Sequence, residues 1–441
     1  MADHVLHFDW ETPFPKLTHG KGVYLYDAEG NEYLDGSSGS ISNSLAYARE
    51  DMAEAIYEQY RKMAHSLRYV SITVAQEQMC DMLAKKTEMD RIFAVSGGTE
   101  ATEIAVKIAR VYFHWQGKSS KYKIIGRWMG YHGYTMESLS WGGNIARRYD
   151  YTPYLREDGH IPPPYCYRCW YGKECGKCSF ECAQALETEI LCQGPDNVAA
   201  FISETISGTT LAAVTPPEGY YKKIREICDK YDVLMISDEV MCGSGRTGKM
   251  KAIDHFGVKP DILVLAKALG GGYFPVGTVC TTEKVVEPIK QKKHFTPGFT
   301  WAGNPVAATV VMKALEIIEK ENLIDNVNNM GRLMKEGLLE IADRHPTIGD
   351  VRGKGLMLGV EFVKDKETKE MFDPAENFTM TMNQNAQKLG LMINPSSKFD
   401  KGQRGDGTIM GPCFEVNEAE IGLLLERFEA ALTQTEKRLY K

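Results

Sequence analysis

The sequence contains no apolar run long enough to cross a membrane and no long run of like charges. A transmembrane helix needs about 20 consecutive apolar residues, and nucleic-acid-binding domains concentrate Lys and Arg in basic patches. The net charge of −7 is spread over 441 residues, so the chain lacks the positive field that attracts nucleic acid or an anionic membrane surface. We therefore expect small-molecule partners, with neither nucleic acid nor membrane among them.

The first eight residues lack the basic start and the apolar core of a secretory signal peptide. We therefore expect a cytoplasmic protein. The cysteine count agrees with a reducing compartment, because eleven is an odd number and five of the cysteines are scattered through otherwise regular segments, as reduced core thiols would be. These five are Cys80, Cys228, Cys242, Cys280 and Cys413.

The other six cysteines lie between residues 166 and 192. Cys166 with Cys169 and Cys175 with Cys178 form two C-x-x-C pairs, which could supply four thiolates to zinc or to an iron–sulfur cluster. The gap between the pairs is shorter than in the usual zinc ribbons, so a loop of reduced thiols or a disulfide-prone insertion is the alternative. No catalytic metal is expected.

The composition, 43% apolar and 25% charged, is that of a soluble globular protein long enough for two domains. Residues 23–35 predict a β-hairpin around a polar turn. From about residue 90, short apolar strands alternate with amphipathic helices, which is typical of a mainly parallel sheet covered on both faces. Strands are predicted at 92–95, 123–126, 199–202, 233–236 and 262–265, and helices at 101–110, 219–228, 307–318 and 324–345.

Two ionisable residues follow apolar runs of this predicted sheet. Lys267 follows the run 262–266, and Asp238 closes the run 233–237. In open α/β sheets, ligands bind outside the carboxyl ends of the strands, so both side chains could face one ligand. Taken alone, a lysine after a strand is usually solvated and an aspartate there is usually a helix cap. Together they fit pyridoxal phosphate (PLP), which needs a Schiff-base lysine and a carboxylate for its ring nitrogen.

Two further motifs lie at the same predicted edge. The turn Ser96-Gly97-Gly98-Thr99-Glu100 connects a strand to a helix, whose free N–H groups could bind a phosphate, although such turns also occur as plain helix caps. It lacks the Gly-Lys pair of a nucleotide-binding loop. Tyr131 follows the next strand and could stack on a flat heterocycle, or it could simply pack on the core.

These residues resemble those of a known family, the class III aminotransferases of the ornithine and ω-amino-acid type, which are fold type I PLP enzymes. The resemblance covers most of the chain. It rests on Ser96-Gly97-Gly98-Thr99-Glu100-Ala101, Tyr131-His132-Gly133, Ser237-Asp238-Glu239-Val240, Gly243-Ser244-Gly245-Arg246-Thr247-Gly248, Pro260-Asp261 with Lys267, Gly303-Asn304-Pro305 and Arg352-Gly353-Lys354-Gly355-Leu356.

The resemblance implies a large PLP-binding domain at 61–325, with a Cys-rich excursion at 150–193. A smaller α+β domain would combine residues 1–60 with 326–441. It further implies a homodimer or a dimer of dimers with shared active sites, in which an amine donor reacts with a 2-oxo acid acceptor such as pyruvate or 2-oxoglutarate.

The resemblance also implies a role for each site residue. Lys267 would be the catalytic lysine, Asp238 would pair with the ring nitrogen, and Val240 and Tyr131 would cover the two ring faces. The remaining cofactor-binding residues would be Gly98, Thr99, His132, Glu204 and, from the neighbouring subunit, Thr300.

The sequence motifs indicate the substrate less clearly than they indicate the cofactor. Family members that act on 4-aminobutyrate or ornithine commonly carry an arginine where this chain has Tyr134, and often a glutamine where it has Met241. Arg404 resembles a carboxylate-binding arginine of related ω-transaminases and would pair with Glu204 when the substrate lacks an α-carboxylate, but it could equally be a solvated loop residue. A β-amino acid, taurine or a 3-aminobutyryl compound would fit the small polar segment 35–43.

Two alternatives to transamination remain open from the sequence. The same scaffold supports lyases and isomerases, including decarboxylases, epimerases and aminomutases. A cofactor-binding protein that has lost catalysis is the second alternative, and the intact Lys267 argues against it.

Overall fold

The computed structural model describes residues 4–6 and 14–439. In that part of the chain there are fifteen β-strands and thirteen α-helices. The strands are β1 (Leu17–Lys21), β2 (Tyr24–Asp27), β3 (Glu32–Asp35), β4 (Arg91–Val95), β5 (Lys123–Arg127), β6 (His160–Ile161), β7 (Val198–Glu204), β8 (Leu234–Asp238), β9 (Ile262–Ala266), β10 (Gly277–Thr281), β11 (Ile348–Lys354), β12 (Met357–Phe362), β13 (Leu391–Met392), β14 (Asn394–Asp400) and β15 (Arg404–Met410). The helices are α1 (Ser38–Ile41), α2 (Glu50–Lys62), α3 (Val74–Thr87), α4 (Gly98–Trp115), α5 (Met136–Trp141), α6 (Ile145–Arg148), α7 (Glu181–Gln193), α8 (Tyr220–Lys230), α9 (Glu283–Lys292), α10 (Pro305–Lys320), α11 (Leu323–Arg344), α12 (Phe378–Lys388) and α13 (Glu418–Leu439).

The central sheet has seven strands in the order β4-β10-β9-β8-β7-β5-β6. Strand β10 runs antiparallel to both β4 and β9, whereas the pairs from β9 through to β6 are parallel. Every residue of β7, β8 and β9 is buried, because helices cover both faces of the sheet. The prediction of a mainly parallel sheet is confirmed, and all five predicted strands are present in it.

Two four-stranded sheets make up the rest of the β structure. The predicted hairpin is present as β2 and β3, and β3 also pairs in parallel with β13, so the two ends of the chain share one sheet. The other sheet is antiparallel in the order β11-β12-β15-β14. Its apolar side chains, together with those of α10, α11 and α13, form one buried cluster. The predicted domain boundaries stay predictions, although the one at residue 325 falls inside α11.

The Cys-rich excursion is more regular than the sequence pattern indicates. Its last part forms α7, which buries Ala183, Leu186 and Ile190 beside the sheet. All eleven cysteines are free thiols. Within residues 4–6 and 14–439, no group of three or more His, Cys, Asp or Glu side chains is arranged to hold a metal ion. The structure therefore gives no support to the zinc or iron–sulfur interpretation of the two C-x-x-C pairs, and the other interpretations of this loop stay predictions.

No helix in the described part of the chain is both long enough and apolar enough to span a membrane.

Candidate active site

A cavity of about 660 Å³ lies at the carboxyl edge of the central sheet. It receives side chains from the ends of β7, β8 and β9 and from the turns that follow β4 and β5. Eight of the ten residues that the sequence analysis names as site residues line it: Gly98, Thr99, Tyr131, His132, Glu204, Asp238, Val240 and Lys267. The parallel strands bring these residues together because each strand ends at the same edge.

Lys267 is the first residue after β9 and has a left-handed backbone conformation, with φ of +47°. A non-glycine residue in this region is strained, and such residues cluster at functional sites. Burial lowers the pKa of the Lys267 amine from its usual value of 10.5, while the carboxylates of Asp238 and Glu204 oppose that shift. The amine therefore loses its proton more readily than an exposed lysine does.

Asp238 is the last residue of β8 and only 3% of its surface is exposed. Its Oδ2 lies 2.7 Å from His132 Nδ1, and its Oδ1 accepts the Val240 N–H at 3.0 Å. These two contacts fix the orientation of the carboxylate. The backbone oxygen of His132 in turn accepts the Thr102 hydroxyl at 2.7 Å. The other ring nitrogen, His132 Nε2, is buried and has no hydrogen-bond partner among the residues that the structure describes.

Glu204 is the last residue of β7, and its carboxylate is held by the backbone. Oε1 accepts the Tyr131 N–H at 3.0 Å, and Oε2 accepts the Gly208 N–H at 2.7 Å. Burial raises the pKa of the Glu204 carboxyl above its usual 4.5. No arginine side chain contacts this carboxylate in the described residues; Arg127 donates instead to the backbone oxygen of Glu204.

Gly98 and Thr99 begin α4, the helix that follows β4. The first N–H groups of a helix have no partner within it and attract anions. Gly98 also packs against Val240: a Cβ atom placed on Gly98 would lie 2.8 Å from Val240 Cγ1. A side chain at residue 98 would therefore push Val240 into the cavity.

The structure does not bring the other two predicted residues into this cavity. Thr300 is exposed and lies next to Trp301, which is 56% exposed. The side chain of Arg404 is 55% exposed, and its Nη2 lies 3.7 Å from Asp400 Oδ2. Arg404 begins β15 directly after the turn from β14, and this position directs its side chain to the surface. The predicted pair of Arg404 with Glu204 is absent from the structure, and a role of Arg404 in substrate binding stays a prediction.

Of the positions that the sequence relates to substrate choice, some line the cavity and one does not. Met241 lines the cavity, as do Ser40, Ser42 and Asn43 of the small polar segment. Tyr134 does not line it; it is 49% exposed.

Arg147 also lines the cavity and stacks over Tyr131, although no sequence pattern indicates it. It belongs to a four-residue helix that begins after Gly142-Gly143-Asn144, and so short an element has no readable periodicity.

Comparison with known proteins gives the family. Residues 9–432 match the family "Aminotransferase class-III". The taurine–pyruvate aminotransferase of Bilophila wadsworthia is 34% identical, over 95% of this chain and 92% of its own. The putrescine–pyruvate aminotransferase of Pseudomonas aeruginosa is also 34% identical, over 95% of this chain and 90% of its own. The crystal structure of the ω-transaminase of Pseudomonas jessenii in complex with PMP is 32% identical, with a TM-score of 0.89 over 96% of this chain and 93% of that one.

The fold and the site define a fold type I enzyme with a lysine at the carboxyl edge of its sheet. The chain belongs to the class III aminotransferase family, and it is an aminotransferase. The family resemblance found in the sequence is confirmed. These relatives support transamination, and none of the three is a lyase or an isomerase.

Proposed function

We propose that the protein is a PLP-dependent ω-transaminase that moves the amino group of an ω-amino acid or amine to a 2-oxo acid, pyruvate above all. The observation that carries the proposal is the convergence of Lys267, Asp238 and the N-terminus of α4 on one cavity. The relatives that act on taurine and putrescine with pyruvate support the same reaction class.

The residues of the cavity fit PLP. The N–H groups of Gly98 and Thr99 would bind the phosphate, since they begin α4 and have no partners within it. Asp238 would hold the ring nitrogen, and Val240 and Tyr131 would cover the two faces of the ring. The packing of Gly98 against Val240 agrees with this fit, because it leaves no room for a Cβ on Gly98. The residue that would bind the phosphate thus lies directly beside a residue that would cover the ring.

When bound, PLP supplies an electron-withdrawing ring that accepts the electrons of the broken C–H bond. The remaining steps belong to this chain. Lys267 Nζ, whose pKa burial lowers, takes up the proton from the carbon that carries the amine. His132 Nδ1 and the Val240 N–H hold the Asp238 carboxylate in the orientation in which it would face the ring nitrogen.

We also propose a homodimer that completes the site with Thr300 of a second copy. Apolar side chains at the end of α2 and in the loop after it are exposed, among them Leu67, Tyr69 and Val70 at 63%, 68% and 79%. An exposed apolar surface of this extent usually marks a protein interface. It adjoins Thr300, because the ring of Trp301 contacts His65 with centroids 4.7 Å apart.

A cytoplasmic location is part of the proposal. Its support is the eleven free thiols, which would not persist in an oxidising compartment.

The test is spectroscopic. The purified protein should show the visible absorbance band of PLP joined to a lysine. Adding β-alanine, taurine, 4-aminobutyrate or a simple amine should remove the band, and pyruvate should restore it. Release of carbon dioxide in place of that reversal would indicate a decarboxylase, and a protein that never takes up PLP would refute the proposal.

A further inference from the structure

We infer that Arg147 binds the acid group of the amine donor, so that the preferred donors are short ω-amino acids or aminosulfonates. The inference rests on the proposed function and specifies its substrate class. It is argued from the position of Arg147, from its lack of a partner and from the charges around it.

The position of Arg147 is fixed by local structure. Asn144 caps the short helix α6 and accepts the Arg147 N–H at 3.1 Å through its Oδ1. The guanidinium carbon then lies 4.6 Å from the centroid of the Tyr131 ring, an arrangement typical of a cation–π contact. Since Tyr131 and Arg147 both line the cavity that contains Lys267, the guanidinium is held beside the reacting centre.

The guanidinium of Arg147 has no hydrogen bond or ion pair within the described part of the chain. Three other arginines of the chain show the contrast, because their guanidinium groups all make hydrogen bonds. Arg148 donates to the backbone oxygens of Leu139 and Ser140. Arg246 likewise donates to the backbone, and Arg352 to Asp350 and Glu361. The Arg147 guanidinium therefore has five N–H donors free of any acceptor among the described residues, and their planar arrangement is suited to binding a carboxylate or a sulfonate.

The other charges of the cavity do not compete for that role. Among the described residues that line it, the other charged side chains are Glu204, Asp238 and Lys267. Both carboxylates already accept backbone N–H groups. Lys267 is the group that reacts in the proposed mechanism. Arg147 and Lys267 line the same cavity, so in this proposal the donor's acid group faces Arg147 and its amine faces Lys267.

An unpaired guanidinium in the cavity distinguishes amine donors by the charge at their far end. A donor with a terminal acid gains charge-assisted hydrogen bonds to Arg147. A diamine or a simple amine gains none, and a diamine brings a second cation toward the guanidinium. Arg147 is in this sense a specificity residue, and the turnover of uncharged donors should not depend on its charge.

The experiment compares Arg147→Gln with wild type on matched donors. β-Alanine and its amide differ only in the acid group, and taurine and propylamine form a second pair. We expect kcat/KM for β-alanine and taurine to fall about ten- to hundredfold, the loss of one or two hydrogen bonds to a charged group. The values for the amide and for propylamine should change less than threefold, and Arg147→Lys should recover part of the loss. Equal losses for both members of each pair would overturn the inference.

Binding without reaction provides a second readout. Ethanesulfonate has no amine and cannot react, so its effect on the melting temperature of the holoenzyme reports binding alone. It should stabilise the wild-type protein and not Arg147→Gln. Arg332→Gln is the matched control, because Arg332 is an exposed arginine on α11 that pairs with Glu336, and this variant should behave as wild type.

Arg404→Gln separates the two arginines. If it loses acid donors selectively while Arg147→Gln does not, the acid site is at Arg404 and the inference is wrong. Failure of the proposed function would look different: the wild-type protein would then transfer an amino group from none of the donors, whatever ethanesulfonate does to its melting temperature.

Discussion

The contact between Gly98 and Val240 gives the sharpest prediction about the site. An alanine Cβ at residue 98 would lie 2.8 Å from Val240 Cγ1, 3.0 Å from Cγ2 and 3.5 Å from Cβ. The first two distances are too short for carbon atoms, so Val240 must move. Val240 lies in the turn after β8 and lines the cavity, so it can move toward the cavity.

The expected cost follows from packing. Inserting a methyl group into a filled site typically costs about 1–3 kcal/mol. If Val240 moves into the cavity, part of that cost appears as weaker cofactor binding, about tenfold in dissociation constant for each 1.4 kcal/mol. We therefore expect Gly98→Ala to weaken PLP binding about ten- to hundredfold. PLP titration of the apoenzyme, followed by absorbance, measures the effect.

A double mutant tests the cause. Val240→Ala removes the two Cγ atoms and leaves the Cβ at 3.5 Å, an ordinary van der Waals distance. Gly98→Ala should then cost little in the Val240→Ala background, giving a coupling energy of about 1–3 kcal/mol. If the two substitutions instead add within about 0.5 kcal/mol, Val240 is not what excludes a side chain at residue 98.

Gly422→Ala provides the matched control. A Cβ on Gly422 would meet nothing within 4 Å, and the residue lies within α13. Replacing a helical glycine by alanine where there is space stabilises by up to about 1 kcal/mol. This variant should bind PLP as wild type does and melt no lower.

Three further predictions concern the chemistry and the assembly. Lys267→Ala should fold and melt near wild type but lose turnover with every donor by more than about a thousandfold, as expected for loss of the general base; a clearly smaller loss with any donor would contradict this role. Burial raises the pKa of Glu239 from 4.5 to about 7, so its protonated form is favoured in the fold. Relative to Glu239→Gln, the wild-type free energy of unfolding should therefore fall between pH 4.5 and 7 and stay level above, as measured by urea denaturation; a difference independent of pH would refute it. If Thr300 acts across a dimer interface, mixing inactive Lys267→Ala subunits with Thr300→Ala subunits should create sites that contain both Lys267 and Thr300. These sites should bind PLP with wild-type affinity, measured by titration; an affinity no higher than that of the unmixed Thr300→Ala protein would exclude that arrangement.

Much of the site could be predicted because its residues end buried strands. A strand covered on both faces is apolar throughout, so β8 and β9 stand out as runs in the sequence. The residues that close such runs, Asp238 and Lys267, must then lie at one edge of the sheet. Strand β10 does not stand out in this way, since Gly277–Thr281 contains one glycine and two threonines and so forms no apolar run, although all five residues are buried.

The positions of the arginines could not be predicted in the same way. Arg404 follows a polar loop, and only the pairing of β14 with β15 decides that its side chain faces solvent, 3.7 Å from Asp400. Arg147 follows two glycines in a segment without periodicity. Its place beside Tyr131 depends on the Asn144 cap and on the strand order of the whole sheet.

The similarity to known enzymes identifies the type of reaction but does not identify the amine donor. This chain is equally similar, at 34% identity, to an aminotransferase that acts on an aminosulfonate and to one that acts on a diamine. The two names share amino transfer to pyruvate and differ in the donor. The difference between the two donors is one terminal charge, negative in taurine and positive in putrescine. Under the inference that Arg147 binds the acid group of the donor, its guanidinium favours the negative charge of taurine over the positive charge of putrescine, and the donor preference of Arg147→Gln tests this directly.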